Sequence, residues 1–116
     1  MSNSLKQLTQ LVTEFRDERD WKQFHTVKDM MLSLMLEAAE LAEHSQWKNE
    51  EEFQDYLKEH RDEIGDELAD VLYWVLLLAH DLEVDMCSAF TKKLDRNREK
   101  YPIALAKGKS QKYDSL

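Results

Sequence analysis

An all-α bundle of four helical segments is the fold this sequence predicts, on three observations. Two Gly and one Pro in 116 residues leave too few turn-formers for a many-stranded β-protein. Apolar residues recur at three- and four-residue spacing in successive segments. Helix-start signals precede those segments, in Ser4 with Gln7, Thr26 with Asp29, Asn49 with Glu52, and Asp85.

Taken in order, Leu5, Leu8, Leu11, Val12 and Phe15 lie on one face of a first helix that fades near Arg19 and Asp20. Residues 21–25 read as a connector, and a second helix is expected from Val27 to about Glu43. Residues 44–48 form a short loop holding Trp47. Asn49 then opens an acidic helical stretch that continues, or kinks, into residues 61–82, with Gly65 the expected irregularity. The last helix carries Phe90, Leu94, Asn97 and Tyr101, and Pro102 ends it by its missing donor and its constraint on Tyr101. The sequence reads as a single domain over 1–116, with a flexible basic tail from about 103–116.

Composition excludes several classes of function. The longest unbroken apolar run, residues 71–79, is far short of the ~20 residues that span a bilayer, so no membrane is expected as partner. The N-terminus lacks a charged-then-apolar signal pattern. One cysteine, Cys87, excludes an internal disulfide framework or a cysteine-based metal knuckle, and it fits a reducing, cytoplasmic setting. It is expected to be a buried small hydrophobe. The net charge of −8 argues against nucleic acid as a partner. That charge is uneven: residues 1–85 hold 8 basic and 21 acidic side chains, whereas 86–116 hold 8 basic and 3 acidic. The balance suits a body that holds cations and a tail that holds anions, or simple surface complementarity.

Two of the helices carry carboxylates where a core should be. In residues 30–42 every position except Ser33, Glu37 and Glu40 is Leu, Met or Ala, and those three fall within one narrow wedge. A helix apolar nearly all round is expected to be buried, its acidic stripe with it. Residues 68–79 repeat the pattern with Asp70 as the only charge, and Glu67, Glu63 and Trp74 share its stripe. If the stripes face each other, Glu37, Glu40, Glu67 and Asp70 converge without a Lys or Arg in either apolar stretch. Ionised carboxylates are costly to bury unpaired, and a divalent cation is the economical counter-charge. All-oxygen ligation points to Mg²⁺ or Mn²⁺. A di-iron bundle would need E-x-x-H motifs, which none of His25, His44, His60 or His80 completes. The four histidines are therefore expected to pack or to lie at the surface. Glu50, Glu51 and Glu52 read as a solvated face.

Arg19-Asp20-Trp21-Lys22-Gln23-Phe24-His25, Glu37-Ala38-Ala39-Glu40-Leu41-Ala42-Glu43, Gln46-Trp47-Lys48 and Asp66-Glu67-Leu68-Ala69-Asp70-Val71-Leu72 together resemble the MazG-like all-α nucleoside triphosphate pyrophosphohydrolases. Lys93-Leu94-Asp95-Arg96-Asn97-Arg98-Glu99-Lys100-Tyr101-Pro102 and residues 108–113 are most similar to the dCTP pyrophosphatase branch of that family. The likeness covers roughly 15–47 and 65–116, leaving 48–64 outside it. It implies a four-helix MazG-like bundle in which Glu37, Glu40, Glu67 and Asp70 hold Mg²⁺. It also implies hydrolysis of a (deoxy)nucleoside triphosphate, dCTP or a related deoxynucleotide, to monophosphate and pyrophosphate, as nucleotide-pool sanitation. Leu36 stands where much of the wider family has another Glu. The dCTP-like branch lacks it too, so the wider family's metal count and base assignment do not carry over.

A metal held there would offset the charge of the phosphates and help orient an attacking water. Glu40 and Glu63 are both candidates for general base. Lys93, Asn97 and Tyr101 share a face at i, i+4, i+8 and match ligand-contacting positions of the family, Lys93 toward phosphates and Asn97 toward phosphate or sugar. Trp21 and Trp47 sit at helix edges where a base could stack on an indole, or where each staples a loop to the core. Trp74 is either a pocket wall or a core residue. The apolar excess of the second helix and of residues 68–79 predicts a symmetric homo-oligomer, and the resemblance implies a tetramer. Two other readings stay open: a non-catalytic nucleotide-binding oligomer, and a sister pyrophosphohydrolase preferring dUTP or dATP.

Overall fold

Side-chain caps start the helices where the sequence places them. Ser4 Oγ accepts from the Gln7 backbone N–H at 3.2 Å while the Ser4 N–H donates to Gln7 Oε1 at 2.7 Å, opening α1 (Leu5–Glu18). Thr26 Oγ1 accepts from the Asp29 N–H at 3.1 Å to open α2 (Val27–Glu43), and Asn49 Oδ1 accepts from the Glu52 N–H at 2.8 Å to open α3 (Glu50–Glu59). After α4 (Arg61–Asp81), Asp85 Oδ1 accepts from the Ser88 N–H at 3.1 Å at the start of α5 (Met86–Lys100). A short α6 (Ile103–Ala106) follows Pro102. The computed structural model describes residues 4–116, all-helical and without strands among them.

Two features of this map differ from the sequence reading. The acidic stretch breaks at His60 (φ −114°, ψ 22°) and not at Gly65, which lies inside α4. The His60 ring nitrogen and its backbone N–H both reach the Tyr56 carbonyl, at 3.0 and 2.9 Å, and the ring stacks on Tyr56 with centroids 3.8 Å apart. The ring and the backbone thus share one carbonyl at the break. Within 103–116, α6 and a 3-10 turn at Tyr113–Ser115 give the basic segment secondary structure of its own.

The chain divides into two compact units, Met1–Glu83 and Val84–Leu116. In the first, α1 and α2 pack on α4 around Val12, Met30, Leu76, Leu77 and Leu78, while α3 touches α4. Arg16 is buried in this core and forms a two-pronged ion pair with Asp81, at 2.8 and 2.9 Å. α2 is not enclosed all round, as its composition suggests. Met30 is buried, yet Met31, Leu32, Met35 and Leu36 are exposed within the single chain, as is Leu68 on α4. One small core has room for one face of each helix, so the remaining apolar surface stays outside. In the second unit the Tyr101 ring meets Tyr113 edge-on at 6.3 Å, and Lys100 Nζ lies 4.9 Å over the Tyr113 ring. Cys87 is exposed here, contrary to its expected burial.

Candidate active site

The two acidic stripes belong to α2 and α4, which pack directly on each other. Glu37 and Glu67 are half-buried, while Glu40 and Asp70 are exposed, so the stripe is less enclosed than the sequence suggests. Burial holds the Glu37 carboxyl above its usual range, and the charges of Glu40, Asp70 and Glu67 act in the same direction. All four acids therefore share one electrostatic neighbourhood. They do not form a ready-made cage: among the described residues no three His, Cys, Asp or Glu side chains are grouped at ligating distances. No Lys or Arg of the described residues pairs with any of the four. Glu37 Oε2 and Glu67 Oε2 are buried without a hydrogen-bond partner.

Glu67 does have a close neighbour, which the sequence did not reveal. His44, the C-cap of α2, brings Nε2 to 2.6 Å from Glu67 Oε2. The approach lies off the hydrogen-bond direction, so the oxygen has a close ring-nitrogen neighbour without a hydrogen bond. The other ring nitrogen, Nδ1, meets the Tyr56 hydroxyl at 2.5 Å. Burial first, then the charges of Glu63 and Glu67, hold that hydroxyl protonated above the ordinary tyrosine range.

Beside the acids lies a cavity of about 620 Å³. Its walls include Phe15, Trp21, Tyr73 and Trp74 with leucines of α1 and α4, and Glu37 and Asp70 contribute to its lining. Phe15 holds Trp21 edge-on at 5.7 Å, and Tyr73 meets Trp74 edge-on at 4.9 Å. His25 abuts Trp74 at 5.2 Å, and burial lowers its pKa below the usual imidazole value. Two of the tryptophans singled out from sequence, Trp21 and Trp74, thus share one cavity with two of the acids. Trp47 does not line it: this residue is 91% exposed and has φ of 67°, a left-handed conformation that is strained for a bulky side chain. Lys93, Asn97 and Tyr101 lie along α5 and its C-cap in the second unit, with Asn97 half-buried and its carbonyl accepting from the Tyr101 N–H at 2.9 Å.

Phe15 was legible only as an apolar helix position, and nothing in the spacing of Tyr73 separates a pocket wall from a core residue. A profile of the MazG-like family matches residues 32–116, which include all four acids. The chain belongs to the MazG-like family. The match bears out the resemblance carried by its motifs. Human dCTP pyrophosphatase 1 is 40% identical over 115 residues, covering 97% of this chain and 68% of the relative. The Rattus norvegicus protein of the same name is 39% identical with the same coverage. A crystal structure of a pyrophosphatase from Archaeoglobus fulgidus DSM 4304 superposes with a TM-score of 0.81 at 34% identity, covering 88% of this chain and 95% of that one. The MazG-like helical arrangement is therefore shared in three dimensions as well as in motif.

Proposed function

We propose that this protein is a nucleoside triphosphate pyrophosphohydrolase of the dCTP-pyrophosphatase type, converting dCTP or a related deoxynucleotide to the monophosphate and pyrophosphate. The observation that carries the reading is the juxtaposition of acids on α2 and α4 with an aromatic-walled cavity that two of them line. Relatives at 39–40% identity that bear the name dCTP pyrophosphatase support the nucleotide class.

The donor set fits a divalent ion ligated by oxygen. Four neighbouring carboxylates, with Glu37 Oε2 buried and unpartnered and no Lys or Arg of the described residues paired to any of them, gain most from a compact double charge. Glu37, Glu40, Glu67 and Asp70 would hold Mg²⁺, with Mn²⁺ as a substitute of the same ligand preference. When bound, the ion supplies countercharge to phosphate oxygens. The chain's own residues do the rest. Trp21 and Trp74 offer π faces to a base, worth ~1–3 kcal/mol by analogy with single-stranded nucleic acids. Glu40 and Glu63 are the two candidates for general base; Glu63 stands outside the ligand set and forms no ion pair among the described residues. Roles for Lys93 and Asn97 toward phosphate or sugar, and for Trp47 and Tyr101 toward the nucleotide, rest on the family motifs. We include in the proposal a homotetramer that covers the exposed apolar residues of α2.

The test is a panel of deoxynucleoside triphosphates with Mg²⁺, products resolved by chromatography. Monophosphate and pyrophosphate are expected, with dCTP or a modified form of it fastest. A folded wild-type protein silent across the panel overturns the activity. Glu37→Gln and Asp70→Asn are expected to abolish turnover with the helical circular dichroism unchanged, and full activity in both removes the metal assignment.

A further inference from the structure

His44, Tyr56 and His60 form a chain of contacts that ends on Glu67, although none of the three belongs to the acidic stripe. The chain starts at the break between α3 and α4, where the His60 ring stacks on Tyr56 at 3.8 Å with an interplanar angle of 12°. That stack limits the Tyr56 ring, and Lys48 Nζ covers it at 4.2 Å from the centroid. The Tyr56 hydroxyl meets His44 Nδ1 at 2.5 Å, which fixes the rotation of the imidazole. The opposite ring nitrogen then lies 2.6 Å from Glu67 Oε2. It is Oε2, not Oε1, of Glu67 that makes this contact.

An unrestrained glutamate has three side-chain torsions to order before it can ligate an ion, and repulsion from Glu37 favours turning away. An imidazole locked against one oxygen counters both effects. It sets a ring nitrogen against Oε2 of Glu67 and leaves Oε1 for an ion. Ligating groups are commonly oriented by such outer partners, whose loss costs about 10–100-fold in metal affinity.

We infer that His44 is a positioning residue for Glu67, held in register by Tyr56 and His60, so that the segment 48–64 serves to pre-orient one ligand of the metal site. This rests on the proposed assignment of Glu67 as a ligand. It also gives a task to residues 48–64, in which no family motif is found by sequence reading.

The experiment measures binding of Mn²⁺ alone to the full chain by electron paramagnetic resonance, with no nucleotide present. His44→Ala is expected to weaken Mn²⁺ binding about 10–100-fold, and His44→Gln, which restores an N–H at similar reach, to recover part of the loss. Tyr56→Phe keeps the stack on His60 and removes the hydroxyl. It should weaken binding less, and add nothing further in the His44→Ala background, because both act through one contact. At saturating Mn²⁺ the kcat of His44→Ala should return toward wild type, which damage to the fold would not allow. Mn²⁺ affinity of His44→Ala within twofold of wild type overturns the inference. If His44→Ala does not fold, Tyr56→Phe decides by the same criterion. Glu67→Gln separates the two levels of argument. If it loses Mn²⁺ while His44→Ala does not, only the positioning role fails; if wild type and Glu67→Gln bind Mn²⁺ alike, the ligand assignment fails with it.

Discussion

Asp81→Asn is the perturbation with the largest expected effect on stability outside the acidic site. Arg16 is 1% exposed, and its two terminal nitrogens both donate to Asp81, at 2.8 and 2.9 Å, while its Nε has no partner. The amide of Asn keeps the volume and removes the charge, leaving a guanidinium buried without a counter-ion. Losing one partner of a buried pair costs about 3–5 kcal/mol. A chain of this length has about 6–17 kcal/mol of total stability, so the loss is a large share of it. With a urea m-value of roughly 2 kcal/mol/M, the unfolding midpoint should fall by about 1.5–2.5 M. The control is Asp95→Asn: its pair with Arg98 is 63–66% exposed, and exposed pairs are worth about 0–1 kcal/mol. Urea titrations followed by circular dichroism, at one matched protein concentration, make the comparison. The pH dependence has a definite sign. The Arg16 hydrogen bond holds the Asp81 carboxyl below its usual range despite the opposing effect of burial. Its stabilisation is therefore complete above the ordinary carboxylate range and is lost as pH falls through the lowered folded value. The gap between wild type and Asp81→Asn should be constant at neutral pH and narrow in acid. Arg16→Met with Asp81→Leu should recover most of the loss, because apolar replacements of buried pairs are neutral or stabilising. A cost below about 1 kcal/mol for Asp81→Asn, or a gap that ignores acid, refutes the reasoning.

Gly65→Ala should stabilise the protein by roughly 0.5–1 kcal/mol, seen as a higher thermal midpoint, because Gly65 is inside α4 and an added Cβ meets nothing within 4 Å. A lower midpoint would show that another chain approaches Gly65 closely. Met35→Asp with Leu36→Asp should shift the sedimentation coefficient to a smaller species, since both residues are 58% exposed on α2. A wild-type protein that already sediments as a monomer rules out the proposed assembly.

Local signals were read well because they are written in neighbouring residues. Ser4, Thr26, Asn49 and Asp85 each cap a helix by accepting from the backbone N–H three residues on, and the bounds of α2 follow from its caps and its period. The acids of α2 and α4 were legible because a charge in an apolar run breaks a strong pattern. Contacts between distant segments were not legible. Arg16 looked like one more charge at the end of an amphipathic helix, yet its partner lies 65 residues away. His44 follows a run of acids on its own helix and gives no sign that Glu67 faces it. The break at His60 coincides with a ring contact to the carbonyl one turn back and a stack on Tyr56, neither of which propensity reveals.

The treatment of acids along α4 argues that the stripe is kept for a purpose other than folding. At its last residue, where the helix dipole already disfavours negative charge, the fold spends a buried arginine on Asp81 and lowers its pKa. Three and four turns earlier, Asp70 and Glu67 have no arginine or lysine partner among the described residues, and with Glu40 they help push Glu37 in the opposite direction. One helix therefore contains both a satisfied and a frustrated carboxylate environment. Proteins break local electrostatic rules mainly where function requires it, and the cost is borne by the rest of the fold. An arginine opposite Glu37 would relieve the repulsion and at the same time occupy the position a divalent ion would take. Repulsion left in place, with an imidazole rather than a fixed cation against Glu67, keeps the acids available to a counter-ion brought from outside.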